Sequence, residues 1–360
     1  MGMQALRSFI VRYQHELSIA SFIVGFAIDS MVLKRIDLLI SNVVLYSYLM
    51  VVVVVMTLLH SIATHPRIGN SFSHKEWLPF VAQFAFGGMF SGFLIFYSQS
   101  GSLIASWPFM ALILALIITN EFLRSYHTRL AFQTTLLFFC LFSFAIYTVP
   151  IFMGTMGGSI FIASGLLALA AVLAFIGFLA LIGFARVREA WKRMTIGIGV
   201  VYVVINALYF TNILPPIPLA LKTIGVYHHV EKVGETYTAQ SETASWWNIP
   251  FLRPKITVGP NESLFVYSSV FAPTKLQTSV VHEWQYYDAS KSLWVTASTI
   301  WFPIAGGRDG GYRGYSEKTL IFPGTWRVNV ETERGQLIGR TSFSVVRLGS
   351  APRLQTRILY

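Results

Sequence analysis

A glycine-rich segment near the C-terminal end of the sequence carries residues suited to ligand binding. Between Ile304 and Tyr315 the chain reads IAGGRDGGYRGY, with five glycines among twelve residues. The side chains that can contact a ligand there are Arg308, Asp309, Tyr312, Arg313 and Tyr315. Two arginines on a loop with accessible backbone N–H groups suit a phosphate, a carboxylate or an acidic glycan. In the alternative interpretation, Asp309 pairs with an arginine and only fixes a long hairpin loop.

Tryptophans form a second candidate contact surface. Trp246 and Trp247 are adjacent, follow a polar stretch and precede two prolines. Such a pair suits an anchor at the membrane interface or an exposed contact surface, and burial in the core is the competing interpretation. For Trp284, Trp294 and Trp326, which lie in alternating segments, we expect burial in the core of a sheet domain.

A third set of polar residues lies beside apolar segments and comprises Asp29, Arg35, Asp37, Glu121 and Arg124. Charges next to hydrocarbon are costly unless they are paired or hydrated. One interpretation is a ligand or docking site at the outer end of the first helix. The other is a structural ion pair, of Asp29 or Asp37 with Lys34 or Arg35, that fixes a short turn.

Motifs for catalysis or metal binding are weak in this sequence. His228 and His229 are neighbours and would point to opposite faces of a strand, so they cannot both bind one metal. His229, Glu231 and His282 make a weak candidate for a metal site. Neither of the catalytic motifs GxSxG and HExxH occurs. The single cysteine, Cys140, excludes a disulfide framework. We therefore expect no catalytic residues, no metal site and no cofactor.

Composition indicates that a membrane positions these residues. Hydrophobic side chains make up 54% of the 360 residues and charged ones only 12%, against about 25% charged in soluble domains. This excludes an ordinary cytosolic enzyme or a disordered chain, and it argues against a nucleic-acid partner despite the net charge of +11. Seven apolar runs, most of them near the ~20 residues that span a bilayer, predict transmembrane helices: His15–Val32, Leu38–His60, Leu78–Tyr97, Leu103–Thr119, Ala131–Val149, Ile160–Phe184 and Ile196–Leu214.

Basic residues predict the orientation of these helices, because Lys and Arg flanking membrane spans stay cytoplasmic. One side carries Arg7, Arg12, Arg67, Lys75, Arg124, Arg129, Arg186, Arg188, Lys192 and Arg193, and the other only Lys34 and Arg35. The N-terminus is therefore expected in the cytoplasm and the C-terminal domain outside. In a cell with two membranes, this predicts a multi-pass inner-membrane protein with a periplasmic domain.

The pattern changes after residue 221, so we expect two domains, residues 1–221 in the membrane and residues 222–360 in water. Alternating runs predict strands at Ser263–Val270, Ser279–Tyr287, Ser292–Thr299, Thr325–Glu331 and Leu337–Val346. Short strands at such spacing, with no helical pattern between them, favour an all-β, immunoglobulin-like antiparallel sandwich.

Three segments of the C-terminal half resemble a known family: HEWQ at 282–285, the glycine-rich segment at 304–315, and PGTWRVNVETERGQLIG at 323–339. They are similar to the domain of unknown function 2914 of bacterial inner-membrane proteins. In the membrane half, GFAIDSMVLKRID at 25–37 and NEFLR at 120–124 also resemble that family. The resemblance implies an envelope protein with no established activity and brings no catalytic residues.

These observations favour a non-enzymatic membrane protein whose outward-facing sandwich binds a protein partner or an envelope glycan. The helical bundle would anchor the sandwich in the lipid bilayer or assemble it into a complex. The alternative is an intramembrane enzyme or transporter for a lipid-linked or small polar substrate. That alternative would use Asp29, Arg35 and Glu121 as its polar groups.

Overall fold

The chain divides into a helical unit and a β unit in the computed structural model. The structure describes residues 14–65, 75–122, 129–242, 253–259, 262–308, 310–347 and 352–359. The helical unit runs to Ser98 and then includes Trp107–Val149 and Gly158–Thr211. The β unit contains Asn212–Tyr360 together with two short stretches between helices, Gln99–Ser106 and Pro150–Gly157.

Apolar helices make up the first unit. They are α1 (Gln14–Val32), α2 (Leu39–Thr64), α3 (Leu78–Ser100), α4 (Leu103–Phe122), α5 (Leu130–Met153) and α6 (Gly158–Phe210), with a 3₁₀ turn at Lys75–Trp77. Four of them, α2, α3, α5 and α6, are long and apolar enough to cross a membrane. Shorter apolar stretches occupy Ile23–Val32 and Ala105–Asn120. The prediction of a membrane protein therefore agrees with the helices found.

The described residues contain six α-helices, so the predicted count of seven was wrong. The basic segment between the last two predicted spans is itself helical, and it joins them into the 53-residue helix α6. Gly183 interrupts α6 with φ −157° and ψ 76°. The rings of Phe161 and Tyr209 stack with centroids 3.7 Å apart, whereas a straight helix would separate them by about 72 Å. The helix therefore folds back near Gly183 into two antiparallel arms.

Glycines allow close packing within the helical unit. A Cβ on Gly88 of α3 would lie 2.6 Å from the ring of Tyr48 on α2, and one on Gly92 would lie 2.6 Å from Leu45. The absence of side chains at these two positions lets α3 approach α2 closely, which is how small residues favour helix association in lipid.

The β unit contains eleven described strands: β1 (Ala220–Tyr227), β2 (His229–Val233), β3 (Thr236–Glu242), β4 (Lys255–Val258), β5 (Leu264–Phe271), β6 (Gln277–Asp288), β7 (Leu293–Ala305), β8 (Tyr312–Lys318), β9 (Gly324–Thr332), β10 (Leu337–Arg347) and β11 (Leu354–Leu359). They form a five-stranded sheet in the order β4-β10-β9-β6-β7 and two three-stranded sheets, β1-β5-β8 and β11-β3-β2. Every pairing is antiparallel except β4 with β10. The predicted antiparallel-rich sheet region is confirmed.

Strand β5 is buried on both faces and lies at the centre of the unit. Its residues Leu264 and Val266 pack in one core with Trp284 and Trp326 of the five-stranded sheet. Its residues Phe265 and Tyr267 pack in a second core with strands β2 and β3. Because side chains alternate along a strand, β5 contributes to two cores at once, and the three sheets form three layers.

Candidate functional site

The side of the five-stranded sheet that faces away from the core carries a connected set of polar residues, which we call the polar face. Its members are Glu283, Gln285, Thr296, Arg327, Asn329, Glu331 and Arg340. Successive side chains of a strand point to opposite faces of the sheet. Because Trp284 and Val328 are fully buried on the core side, their neighbours along the same strands point away from the core. The strand register then brings Glu283 opposite Asn329, and Asn329 opposite Arg340.

Two amide side chains orient two arginines on the polar face. Nε of Arg327 donates to Oε1 of Gln285 at 2.6 Å, and Nε of Arg340 donates to Oδ1 of Asn329 at 2.6 Å. Among the hydrogen bonds and ion pairs of the described residues, neither arginine uses its terminal nitrogens, and no carboxylate oxygen lies within 4.0 Å of them. The forked ends of both side chains are therefore left for solvent or for a ligand.

Glu283 connects the amides to the edge strand. Its carboxylate accepts a hydrogen bond from Oγ1 of Thr296 at 2.7 Å and one from Nδ2 of Asn329 at 3.1 Å. Nε2 of Gln285 in turn donates to Oγ1 of Thr296 at 3.2 Å. These bonds fix the side chains in one arrangement and leave the hydroxyl, amide and carboxylate groups in a row across three strands.

Aromatic rings on β6 and β7 flank the polar face. The guanidinium carbon of Arg327 lies 4.1 Å from the ring centroid of Trp294, and the ring of Tyr287 is 5.4 Å from the same tryptophan. At the other end, Trp301 is 57% exposed and pairs with Val281, on the same outward side. The prediction that Trp294 fills the core was therefore wrong, whereas Trp284 and Trp326 are buried as predicted.

Partial burial perturbs the charged groups of the polar face. Burial lowers the pKa of Arg327 to about 10, and repulsion by Arg340 contributes. Burial also lowers the pKa of Arg340. Burial, together with repulsion by Glu283, raises the pKa of Glu331 to about 7. Both arginines therefore stay protonated at neutral pH, while Glu331 changes its charge close to neutrality.

The opposite side of the same sheet holds a buried histidine between two layers. The two ring nitrogens of His282 lie 2.7 Å from Oγ of Ser268 and 2.8 Å from Oγ of Ser316. Nε1 of Trp284 also donates to Oγ of Ser316 at 3.0 Å. Burial lowers the pKa of His282 to about 3. His282 is therefore a neutral crosslink between sheets, and the structure does not bring it to His229, which is exposed near Glu231.

His228 makes a separate connection at the end of β1. Its Nδ1 lies 2.7 Å from Oε1 of Glu262 and its Nε2 lies 3.3 Å from Oε1 of Glu242. Glu262 also accepts the backbone N–H of Gly259, and Glu242 that of Thr257. These bonds tie β1 and β3 to the segment around β4. In the part of the chain that the structure describes, no three His, Cys, Asp or Glu side chains are grouped to hold a metal ion.

The residues of the predicted glycine-rich loop are only partly in a loop. Tyr312, Arg313 and Tyr315 belong to strand β8, and the loop itself is shorter. Arg308 is exposed. The guanidinium of Arg313 lies 5.8 Å from the ring centroid of Tyr237, and the ring of Tyr315 is 6.2 Å from the same tyrosine. Tyr312 also packs against an apolar core. Burial raises the pKa of Tyr237, and Tyr312, Arg313, Tyr315 and Arg308 all contribute electrostatically, so the described residues of this segment lie around one tyrosine.

Several predicted site residues lie outside the described residues. These are Asp309, Trp246, Trp247 and Arg124. Glu121 lies in α4, but its side chain is also outside the part that the structure describes.

The polar residues at the end of α1 form two separate contacts. Arg35 and Asp37 make a two-point ion pair, with Nε to Oδ1 at 3.0 Å and Nη2 to Oδ2 at 2.6 Å. Asp29 is buried and accepts a hydrogen bond from the hydroxyl of Tyr48 at 3.1 Å. The turn after α1 is thus held by the ion pair, and Asp29 is bound to the neighbouring helix.

Sequence reasoning missed the polar face, although a signal for it was present. The segments around 283–287 and 325–331 alternate, and the polar residues occupy the same parity on each. What the sequence does not contain is the strand order, which sets Asn329 between Glu283 and Arg340.

The match to a known family is confined to the C-terminal region. Residues 277–345 match the family described as "Protein of unknown function (DUF2914)", which confirms the resemblance seen in the C-terminal sequence segments. This range runs from β6 to β10 and contains every residue of the polar face. A comparison with curated proteins found no match.

Solved structures give only distant likenesses. A β-glucosidase from Listeria innocua in complex with gluconolactone is 13% identical with a TM-score of 0.19, over 31% of this chain and 16% of that one. The chain thus spans about a sixth of that enzyme's length. The alkylpurine DNA glycosylase AlkC of Pseudomonas fluorescens is 10% identical with a TM-score of 0.22, over 85% and 99% of the two chains. At these scores the likenesses support no statement about fold or function.

Proposed function

We propose that this chain is a non-enzymatic, multi-pass protein of the bacterial inner membrane whose periplasmic β-domain binds a protein partner or an envelope glycan. The polar face carries this proposal. It holds partly buried charged groups in fixed orientations and leaves the terminal nitrogens of Arg327 and Arg340 without a protein acceptor among the described residues. Burying charge without pairing it is unfavourable, and a ligand that pairs with these groups would offset that cost.

Two connections between helices belong to the β unit, and they support the proposed orientation. The connection after α3 contacts β10 through a bond from Ser102 N to Leu337 O at 3.4 Å. The connection after α5 contacts β6 through a bond from Gln277 N to Gly154 O at 3.0 Å. Neither connection contains Lys or Arg. Because loops rich in Lys and Arg stay in the cytoplasm, the lack of basic residues in both connections of the β unit supports a periplasmic β-domain.

The two arms of α6 support two crossings of the bilayer by this one helix. Each arm is about 25 residues long, since α6 has 53 residues and turns near Gly183, and about 20 residues suffice to span a bilayer. Arg186, Arg188, Lys192 and Arg193 follow the turn, which suits an end of the hairpin in the cytoplasm next to anionic lipid.

The strand order supports an immunoglobulin-like arrangement for the core of the β-domain. The orders β1-β5-β8 and β10-β9-β6-β7 correspond to the A-B-E and G-F-C-C′ orders of that fold. The third sheet, β11-β3-β2, would then be an addition that covers the outer side of β5.

A reporter fusion tests the orientation. A reporter that is active only in the periplasm, fused after Tyr360, is expected to be active, and the same reporter placed after Arg67 is expected to be silent. The reverse pattern would contradict the topology. Activity at both sites would mean that the chain inserts in two orientations.

Site-specific photocrosslinking in cells tests the binding function. A photoreactive residue at Thr296 or Thr299, both exposed on β7, is expected to form an adduct with an envelope component. His229, exposed on the third sheet, is the control position. A probe at Tyr315 tests the surface near the glycine-rich loop. An adduct from Tyr315 alone would move the site to that surface, and no adduct from any of these positions would refute a binding role.

A further inference from the structure

The two arginines of the polar face have an arrangement that needs an explanation of its own. Arg327 and Arg340 lie on neighbouring strands. Burial lowers the pKa of Arg327, and repulsion by Arg340 lowers it further. Their Nε atoms bond to neutral amide oxygens rather than to carboxylates. Folding has thus placed two like charges side by side, each oriented through its Nε–H. Glu283 and Glu331 attract both arginines, but no ion pair with them occupies the terminal nitrogens.

An oxyanion is the ligand that satisfies this arrangement best. The terminal nitrogens of a guanidinium form parallel hydrogen bonds to the two oxygens of a carboxylate or phosphate. The ring of Trp294 lies against the guanidinium of Arg327, and such stacking keeps the plane of the fork fixed. An anion between the two forks would also remove the repulsion between the arginines.

The rest of the polar face suits hydroxyl groups better than apolar side chains. Glu283, Gln285, Thr296 and Asn329 present carboxylate, amide and hydroxyl groups that already bond to one another. Exposed aromatic rings, Tyr287 at 40% and Trp301 at 57%, flank this row on either side. From residue 281 to residue 287 of β6 the face extends roughly 20 Å, which accommodates several sugar units in line.

We infer that the polar face binds an anionic oligosaccharide, with a carboxylate or phosphate of the sugar chain held by the terminal nitrogens of Arg327 and Arg340. The inference rests on the proposed function, in which this face binds an envelope component, and it names the chemical class of that component. The sugar hydroxyls bond to Glu283, Gln285 and Thr296, and the sugar rings contact Tyr287 or Trp301.

Binding of defined saccharides to the full chain in lipid nanodiscs tests this inference. The probes are tetragalacturonate, the neutral tetramer maltotetraose, and glucose 6-phosphate against glucose. We expect tetragalacturonate or glucose 6-phosphate to bind. The affinity for the matching neutral probe, maltotetraose or glucose, should be at least about tenfold lower. The pair that shows the difference identifies carboxylate or phosphate as the anion. Binding of the anionic probe should also weaken as salt rises.

Charge-conserving variants test the role of the forks. Arg327→Lys and Arg340→Lys keep the positive charge and remove the two-point geometry. Each is expected to lower the affinity for the anionic probe about tenfold or more. Arg357→Lys, at an exposed arginine of β11, is the matched control and is expected to bind like the wild type. Thermal stability of each variant shows that a loss of binding is not a loss of folding.

Three results would overturn the inference. They are equal binding of charged and neutral probes, no binding of any probe, and unchanged affinity in both polar-face variants. Crosslinking distinguishes this failure from failure of the proposed function. A protein adduct at Thr296 together with no saccharide binding would keep the binding face and refute the anionic sugar.

Discussion

Nε of Arg327 donates to Oε1 of Gln285 at 2.6 Å across the pairing of β9 with β6. An amide in this position orients the guanidinium without neutralising it. A carboxylate in the same position would form an ion pair and occupy the arginine. Gln at 285 therefore orients Arg327 without forming an ion pair, although Glu283 and Glu331 attract the arginine at longer range.

Converting that amide to a carboxylate should separate stability from binding. In Gln285→Glu we expect the new ion pair with Arg327 to be offset by repulsion from Glu283 and by the lost hydrogen bond to Thr296. The stability should therefore stay within about 1 kcal/mol of the wild type. We expect at least a tenfold loss of affinity for the anionic probe. Thermal unfolding and a binding titration measure the two effects. Gln240→Glu, the same change at an exposed position of β3, should leave affinity unaltered. Unchanged affinity in Gln285→Glu would contradict the role given to Arg327.

Glu331 should make anion binding dependent on pH. Burial and repulsion by Glu283 raise its pKa to about 7, while Arg340 and Arg327 act in the opposite direction. Protonated Glu331 does not repel an anion, and ionised Glu331 does. Affinity for the anionic probe should therefore fall about two- to fivefold between pH 6 and pH 8. In Glu331→Gln the affinity for the anionic probe should not change between pH 6 and pH 8. If it still changes, another titrating group causes the effect.

His282 should make the folded state less stable in acid. Its pKa is about 3 in the folded chain against 6.5 unfolded, so the unfolded chain binds the extra proton as pH falls below 6.5. Each pH unit inside that window then removes about 1.4 kcal/mol of stability. Glu331 changes the stability in the opposite direction, because its pKa is raised in the folded chain. Its contribution to stability is fully present below about pH 4.5 and is lost as the pH rises through 7.

The Glu331→Gln background removes this opposing contribution. In that background the apparent Tm should fall from pH 6.5 to pH 4.5, and adding His282→Asn should flatten the curve. His229→Asn, at an exposed histidine, is the control and should leave the slope as it was. A slope that is the same with and without His282 would show that this group does not titrate as its burial implies.

Gly183 should be required for the fold-back of α6. A Cβ there would lie 2.5 Å from Oγ1 of Thr64 and 2.9 Å from Nε2 of His60. We expect Gly183→Ala to destabilise the helical unit by about 1–3 kcal/mol. Gly177→Ala in the same helix meets nothing within 4 Å and should be neutral or slightly stabilising. Thermal stability in detergent compares the two, and equal values would show that the turn has room for a side chain.

The sequence by itself determined the long apolar helices typical of a membrane protein and the position of five strands. Apolar runs of bilayer length and period-two alternation are local patterns, so the residues that show them also form the element. The strands that it missed include β2, β3 and β11, which are short and rich in polar residues; β2 and β11 are also mostly exposed. They owe their conformation to packing against β5 rather than to their own pattern.

Only the tertiary structure decided which residues meet. Trp294 and Trp284 lie in segments of similar pattern, and the register shift between Trp284 and Gln285 accompanies their placement on opposite sides of the sheet. Likewise, Arg327, Asn329 and Arg340 are ordinary polar residues of separate segments until strand order places them in contact. Periodicity specifies the face of a strand, but the neighbour across the sheet is set by long-range pairing, and that pairing creates the polar face.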